Sequence, residues 1–103
     1  MQISLNNSQI LEQSPSTFWL SANKISISKL KSKDKETFKA FYKYYAPAIY
    51  GTISRILNDK SKCDLILEKT FSQAWETIST FDESKCKMFT WLNRIAIKLT
   101  SNI

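Results

Sequence analysis

The chain has 103 residues, 43% hydrophobic and 23% charged, with a formal net charge of +6; it is long enough for one hydrophobic core and lies outside the disordered compositional class. One Gly and two Pro leave too few turn formers for an all-β sandwich, so an all-α fold is expected. With no His, only Cys63 and Cys86, and no Gly-rich phosphate loop, the chain lacks the parts of a zinc site, a disulfide framework or a nucleophile paired with a base, and no catalytic residue, metal or cofactor is expected.

Residues 1–28 are Ser- and Asn-rich, carry only Glu12 and Lys24 as charges, and contain the apolar triplet Phe18, Trp19 and Leu20. They read as an N-terminal extension, either a tail or an arm whose triplet docks on the body. The opening MQISLNNSQILEQ lacks the basic start and apolar run of a signal peptide, and no stretch approaches the roughly 18 apolar residues of a membrane span. The expected setting is therefore cytoplasmic, with both thiols reduced and no membrane partner.

From Asp34 the pattern becomes helical. Phe38, Phe41, Tyr42 and Tyr45 recur at i, i+3, i+4 and i+7, which predicts a helix over 33–45. Pro47 suits the first turn of a second helix over 47–58, whose stripe is Ile49, Ile53, Ile56 and Leu57. Asn58 to Ser61 reads as a loop with Ser61 as N-cap, followed by a third helix over 62–79 with Leu67, Phe71, Ala74, Trp75 and Ile78 on one face. Phe81 to Cys86 breaks the period before a fourth helix over 86–101, striped by Met88, Leu92, Ile95, Ala96 and Leu99. Four amphipathic helices on short loops predict a compact bundle over 29–103.

The positive charge is local: +5 over residues 29–60 and +2 over 82–103, against 0 over 1–28 and −1 over 61–81. A basic surface of this kind favours polyanions. On the fourth helix, at about 100° per residue from Leu92, the residues Lys87, Trp91, Arg94, Lys98 and Asn102 gather between about 200° and 280°, opposite the apolar stripe. Cations that neutralise phosphates beside a ring on which an unstacked base can lie suit single-stranded DNA; the same pattern also fits a Trp91 wedged into a neighbouring helix beside solvated cations. On the third helix Leu65 falls among the polar residues Lys69, Ser72 and Glu76, either as a contact residue or as a solitary exposed leucine.

The order of residues over 29–102 resembles region two, the promoter-melting domain, of bacterial RNA polymerase sigma factors of the extracytoplasmic-function type. KLKSKDKETFKAFYKYYAPAIYGTISRIL is similar to its opening, and EKTFSQAWETISTFDESKCKMFTWLNRIA to its run of Phe-x-x-x-Trp, Phe-Asp loop and Thr-Trp-Leu-x-Arg-Ile-Ala. Here Phe71, Trp75, Phe81, Asp82, Thr90, Trp91, Leu92, Arg94, Ile95 and Ala96 occupy the matching places. The resemblance implies a transcription initiation module that binds the coiled coil of the RNA polymerase core clamp and the non-template strand of the melted upstream promoter element. Polymerase docking then maps to Leu65, Glu68, Lys69 and Ser72; the loop that captures a flipped base maps to Phe81, Asp82 and Ser84; single-stranded promoter DNA maps to Lys85, Lys87, Trp91, Arg94, Lys98 and Asn102.

Several positions depart from the pattern. The family's Ala-Glu-Asp before the third helix is Cys63-Asp64-Leu65 here, its Gln-Glu pair is Glu68-Lys69, and its Asn and Asp in the fourth helix fall at Lys98 and Asn102. The docking face thereby loses acidity, which bears on partner choice, and the fourth helix gains positive charge. The family's helix-turn-helix domain does not follow Ile103, so the chain is expected to be one domain of something longer or a shortened protein. The competing expectation is a helical interaction protein, such as a decoy that engages polymerase or a sigma inhibitor without reading DNA.

Overall fold

A computed structural model describes residues 25–102 as an all-α bundle. The elements are α1 (Ile27–Lys31), α2 (Lys35–Ile56), α3 (Lys60–Thr77), a short 3₁₀ turn (Ile78–Thr80) and α4 (Met88–Ser101). The expectation for the triplet Phe18, Trp19 and Leu20 lies outside the described residues.

The chain starts the bundle with a cap on each side of a reversal. Ser26 accepts a hydrogen bond from the Lys29 backbone N–H to open α1. The helix then closes in a Schellman arrangement, with Lys33 N–H bonded to Leu30 O and Asp34 N–H to Lys29 O, both at 3.0 Å. That geometry needs a left-handed residue at its end, and Lys33 adopts it at φ 69° without being glycine. Its side chain is held as well: the Lys33 ammonium donates to Trp75 O and lies 4.9 Å from the Trp75 ring centroid. Asp34 immediately caps α2, accepting from the backbone N–H of Thr37 at 3.0 Å and from its hydroxyl.

Two helices expected over 33–45 and 47–58 are a single one. Pro47 lies inside α2, exposed to solvent. A proline in a helix interior removes one hydrogen bond, here the bond to Lys43 O, without forcing a break. The first-turn reading of Pro47 is therefore corrected: the apolar phase of Phe41 carries on through Ala46, Ile49 and Ile53, and burying that unbroken stripe outweighs one lost bond. The cap of α3 is corrected too, because Asp59 accepts from the N–H groups of Ser61 (2.8 Å) and Lys62 (3.4 Å) in the place expected for Ser61.

The three long helices pack mutually, and α1 seats on α2 and the 3₁₀ turn. Leu30, Phe41, Ile49, Ile53, Ile66, Ile78, Phe81 and Leu92 are the large fully buried side chains, so every element gives the core at least one anchor. Ile25 and Ile27 pack against this core, and the folded body therefore begins ahead of residue 29. Buried Thr70 satisfies its hydroxyl by donating to Ile66 O at 2.7 Å. Cys63 and Cys86 are both free thiols.

Candidate nucleic-acid interface and docking groove

The loop between α3 and α4 is built around one carboxylate. Asp82 Oδ1 accepts from the Ser84 N–H at 2.9 Å and the Ser84 hydroxyl at 2.6 Å, while Lys85 N–H closes onto Asp82 O at 3.0 Å. An aspartate that bonds the backbone two residues on makes a local turn that needs no helix or strand. The two bonds from Ser84, with a smaller contribution from the charge of Lys31, hold the Asp82 carboxyl below its ordinary value. Asp82, Ser84 and Lys85 are all exposed.

Phe81 stands differently. At 2% exposure it is a core side chain, so its expected place as a base-contacting surface residue becomes that of a support beneath the loop. Its ring meets Trp91 with centroids 5.2 Å apart and planes at 54°, a favourable tilted aromatic pairing. Trp91 is consequently half-buried, part wedge and part open ring. The indole is pinned by Phe81, and around it Lys87, Arg94, Lys98 and Asn102 are exposed on α4 or at its ends. Among the described residues the ion pairs are Glu36–Lys39 and Lys60–Asp64, so the stripe's cations face solvent unpaired. The Phe81–Trp91 contact thus packs the start of the loop against the helix that carries the stripe.

A cleft of about 520 Å³ opens beside this loop, walled by Ile27, Ser28 and Lys31 of α1 and by Thr80 through Glu83. Sequence reasoning missed the α1 wall. Ile27 and Lys31 sit at i and i+4, but a five-residue helix is too short for periodicity to reveal.

A second surface lies between α2 and α3. A groove of about 730 Å³ has an apolar floor of Phe38, Leu67, Phe71 and Trp75 and a rim that is basic on the α2 side (Lys35, Lys39) and acidic on the α3 side (Asp64, Glu68). Aromatic edges build the floor: Trp75 is 4.7 Å from Phe38, and Phe71 is 4.8 Å from Tyr42. Of the docking candidates, Glu68 and Ser72 line this groove. Leu65 and Lys69 are exposed outside its lining, Leu65 at 44%. Tyr42, expected on the core stripe of its helix, is instead 39% exposed at the groove. The signal for it was present in Lys35, Lys39 and Tyr42, at i, i+4 and i+7 on one partly polar face.

The Sigma-70 region 2 family model matches residues 41–102. The chain is 27% identical over 70 residues to the ECF RNA polymerase sigma factor SigK of Mycolicibacterium vanbaalenii, covering 68% of this chain and 36% of that one. It is 25% identical over 63 residues to the ECF RNA polymerase sigma factor SigK of Mycobacterium ulcerans, covering 61% of this chain and 34% of that one. It spans about a third of the length of these curated relatives, and no solved structure matches it. With the family model covering α4, α3 and most of α2, including the whole loop and the basic stripe, the chain belongs to the Sigma-70 region 2 family.

Proposed function

We propose that this domain is a transcription initiation module that docks on the RNA polymerase core through the α3 side of the apolar groove and grips the non-template strand of melted promoter DNA through the loop and the α4 stripe. The observation that carries this reading is the Phe81–Trp91 contact, because it packs the start of the Asp82 loop against the helix that bears the row of unpaired cations. Phosphates of an opened strand meet Arg94 and Lys98, and a base unstacked from its neighbours meets the open part of Trp91 and the Asp82 turn. Aromatic stacking of this kind contributes about 1–3 kcal/mol per base and offsets the lost base stacking. The groove supports the docking half: Glu68 and Ser72 stand on its α3 rim, and an apolar floor with charged rims is the form of site that receives a helix.

The test has two arms. Core RNA polymerase is pulled down with the natural chain and with a Leu65→Asp, Lys69→Glu variant that restores the acidity usual in the family. Retention of polymerase by the natural chain is expected. Retention by the restored variant alone would point to a helical interaction protein with a changed partner, and retention by neither would end the docking reading. In the second arm, Arg94→Ala and Lys98→Ala are expected to weaken binding of single-stranded DNA in an anisotropy titration, with no change in the helical circular dichroism. Unchanged affinity would end the strand-gripping reading.

A further inference from the structure

We infer that Lys31 of α1 is a positioning residue for a single unstacked nucleotide, holding the phosphate of that nucleotide while its base enters the cleft between α1 and the loop after the 3₁₀ turn. The inference rests on the strand-gripping reading above and assigns to it residues from outside the stretch that the family model matches, which begins at residue 41.

The cleft is sized and lined for this. Its volume of about 520 Å³ falls within the roughly 300–1,000 Å³ of small-ligand sites, ample for one base and its sugar. Ile27 is the apolar surface on which a flat base loses water, and buried Phe81 supports the floor beneath it. Ser28, Thr80 and Asp82 bring polar groups to its edge. Both bonds from Ser84 fall on Asp82 Oδ1, leaving Oδ2 to accept from a base N–H.

The charges are divided between the two walls. Asp82 and Glu83 stand on the loop side and Lys31 on the α1 side, and Lys31 makes no ion pair among the described residues. A phosphate beside the carboxylates is repelled, whereas one beside Lys31 is neutralised, so a nucleotide enters in one orientation, with its base edge toward Asp82. The wall itself is firmly set, because buried Leu30 anchors α1 in the core and the Schellman reversal at Lys33 fixes its end. A fixed wall spares the backbone any rearrangement on binding, so the ordering cost is that of the Lys31 side chain alone.

The test is an anisotropy titration of the full chain with labelled dT12 strands whose central nucleotide is dT, dA, dC, dG or an abasic site, over a range of salt. The natural chain is expected to bind at least one base-bearing strand more tightly than the abasic one. Lys31→Gln is expected to weaken that binding about fivefold, to lower the salt slope by about one, and to erase the difference between base-bearing and abasic strands. Lys31→Arg is expected to restore affinity, and Lys29→Gln, on α1 but outside the cleft lining, to leave it unchanged. If Lys98→Ala weakens binding and Lys31→Gln does not, the strand-gripping reading stands and the role of Lys31 is overturned. Should neither substitution matter, both fall. Circular dichroism of each variant confirms that the fold is kept.

Discussion

Replacing Phe81 separates a structural support from a ligand contact. The ring is 2% exposed, packs against Trp91 at 5.2 Å, and fixes the start of the loop that carries Asp82. Truncation to Ala in such a site removes the transfer energy of the ring and leaves a cavity, a loss of about 3–5 kcal/mol. A domain of this size has only about 5–10 kcal/mol in total, so Phe81→Ala should lie near the edge of folding. Phe81→Leu keeps an apolar side chain and should cost about 1–2 kcal/mol, including the lost aromatic pairing. Urea denaturation followed by circular dichroism measures both, with the midpoint falling at a constant slope. Tryptophan fluorescence should report the released Trp91 in the same samples. A loss below about 0.5 kcal/mol for the Ala variant, the level of an ordinary surface change, would refute the reasoning and return Phe81 to the surface as a contact residue.

Other substitutions test the remaining elements. Lys33→Gly relieves the left-handed backbone but gives up the contacts to Trp75, whereas Lys33→Ala gives up the contacts and keeps the strain; the Gly variant should be more stable by about 1 kcal/mol in the same urea assay. The hydrogen bonds of Thr37 hold the Asp34 carboxyl below its ordinary value. A depressed folded-state value adds stability that is present above the unfolded-state value and is lost as pH falls through the folded one, so the thermal midpoint should drop on acidification below about pH 4. Asp34→Asn, which also caps helices well, should retain stability at pH 7 and flatten that acid limb. Asp82, lowered by Ser84, adds to the same limb, and Ser84→Ala should bring its titration, followed by NMR, back toward the ordinary carboxylate range.

The all-α class and the apolar stripe of α4 were legible because they depend on period and composition, which a sequence carries directly. On α3, by contrast, Phe71 and Ala74 are buried as expected, but Leu67 and Trp75 lie at the groove and Cys63, Ile66 and Thr70 take the core. Met88, Leu92, Ile95 and Ala96 are all buried as their spacing requires. What misled was local. Pro47 is a strong breaker on its own, yet continuous burial of Ala46, Ile49 and Ile53 on one helix overrides it. Phe81 sat in a polar loop sequence, but its burial is set by Trp91, which is remote in the chain until the loop folds back. The α1 wall was hidden for the same reason: Lys31 and Asp82 are brought together only by packing, and neither position announces the other. The reach of Tyr42 into the groove follows from the stripe being wider than the core that covers it.

The uninterrupted path of α2 through Pro47 gives the molecule a mechanical asymmetry. Ahead of the proline, Phe38 and Tyr42 form one wall of the groove; beyond it, Ile49 and Ile53 lie locked in the interior. The bond that Pro47 cannot make to Lys43 O is the least resistant point between those halves. Phe41 and Ala46 are buried ahead of that point on the same face as Ile49 and Ile53 beyond it, so a single hydrophobic stripe keeps the groove wall in line with the interior where the backbone bond is missing.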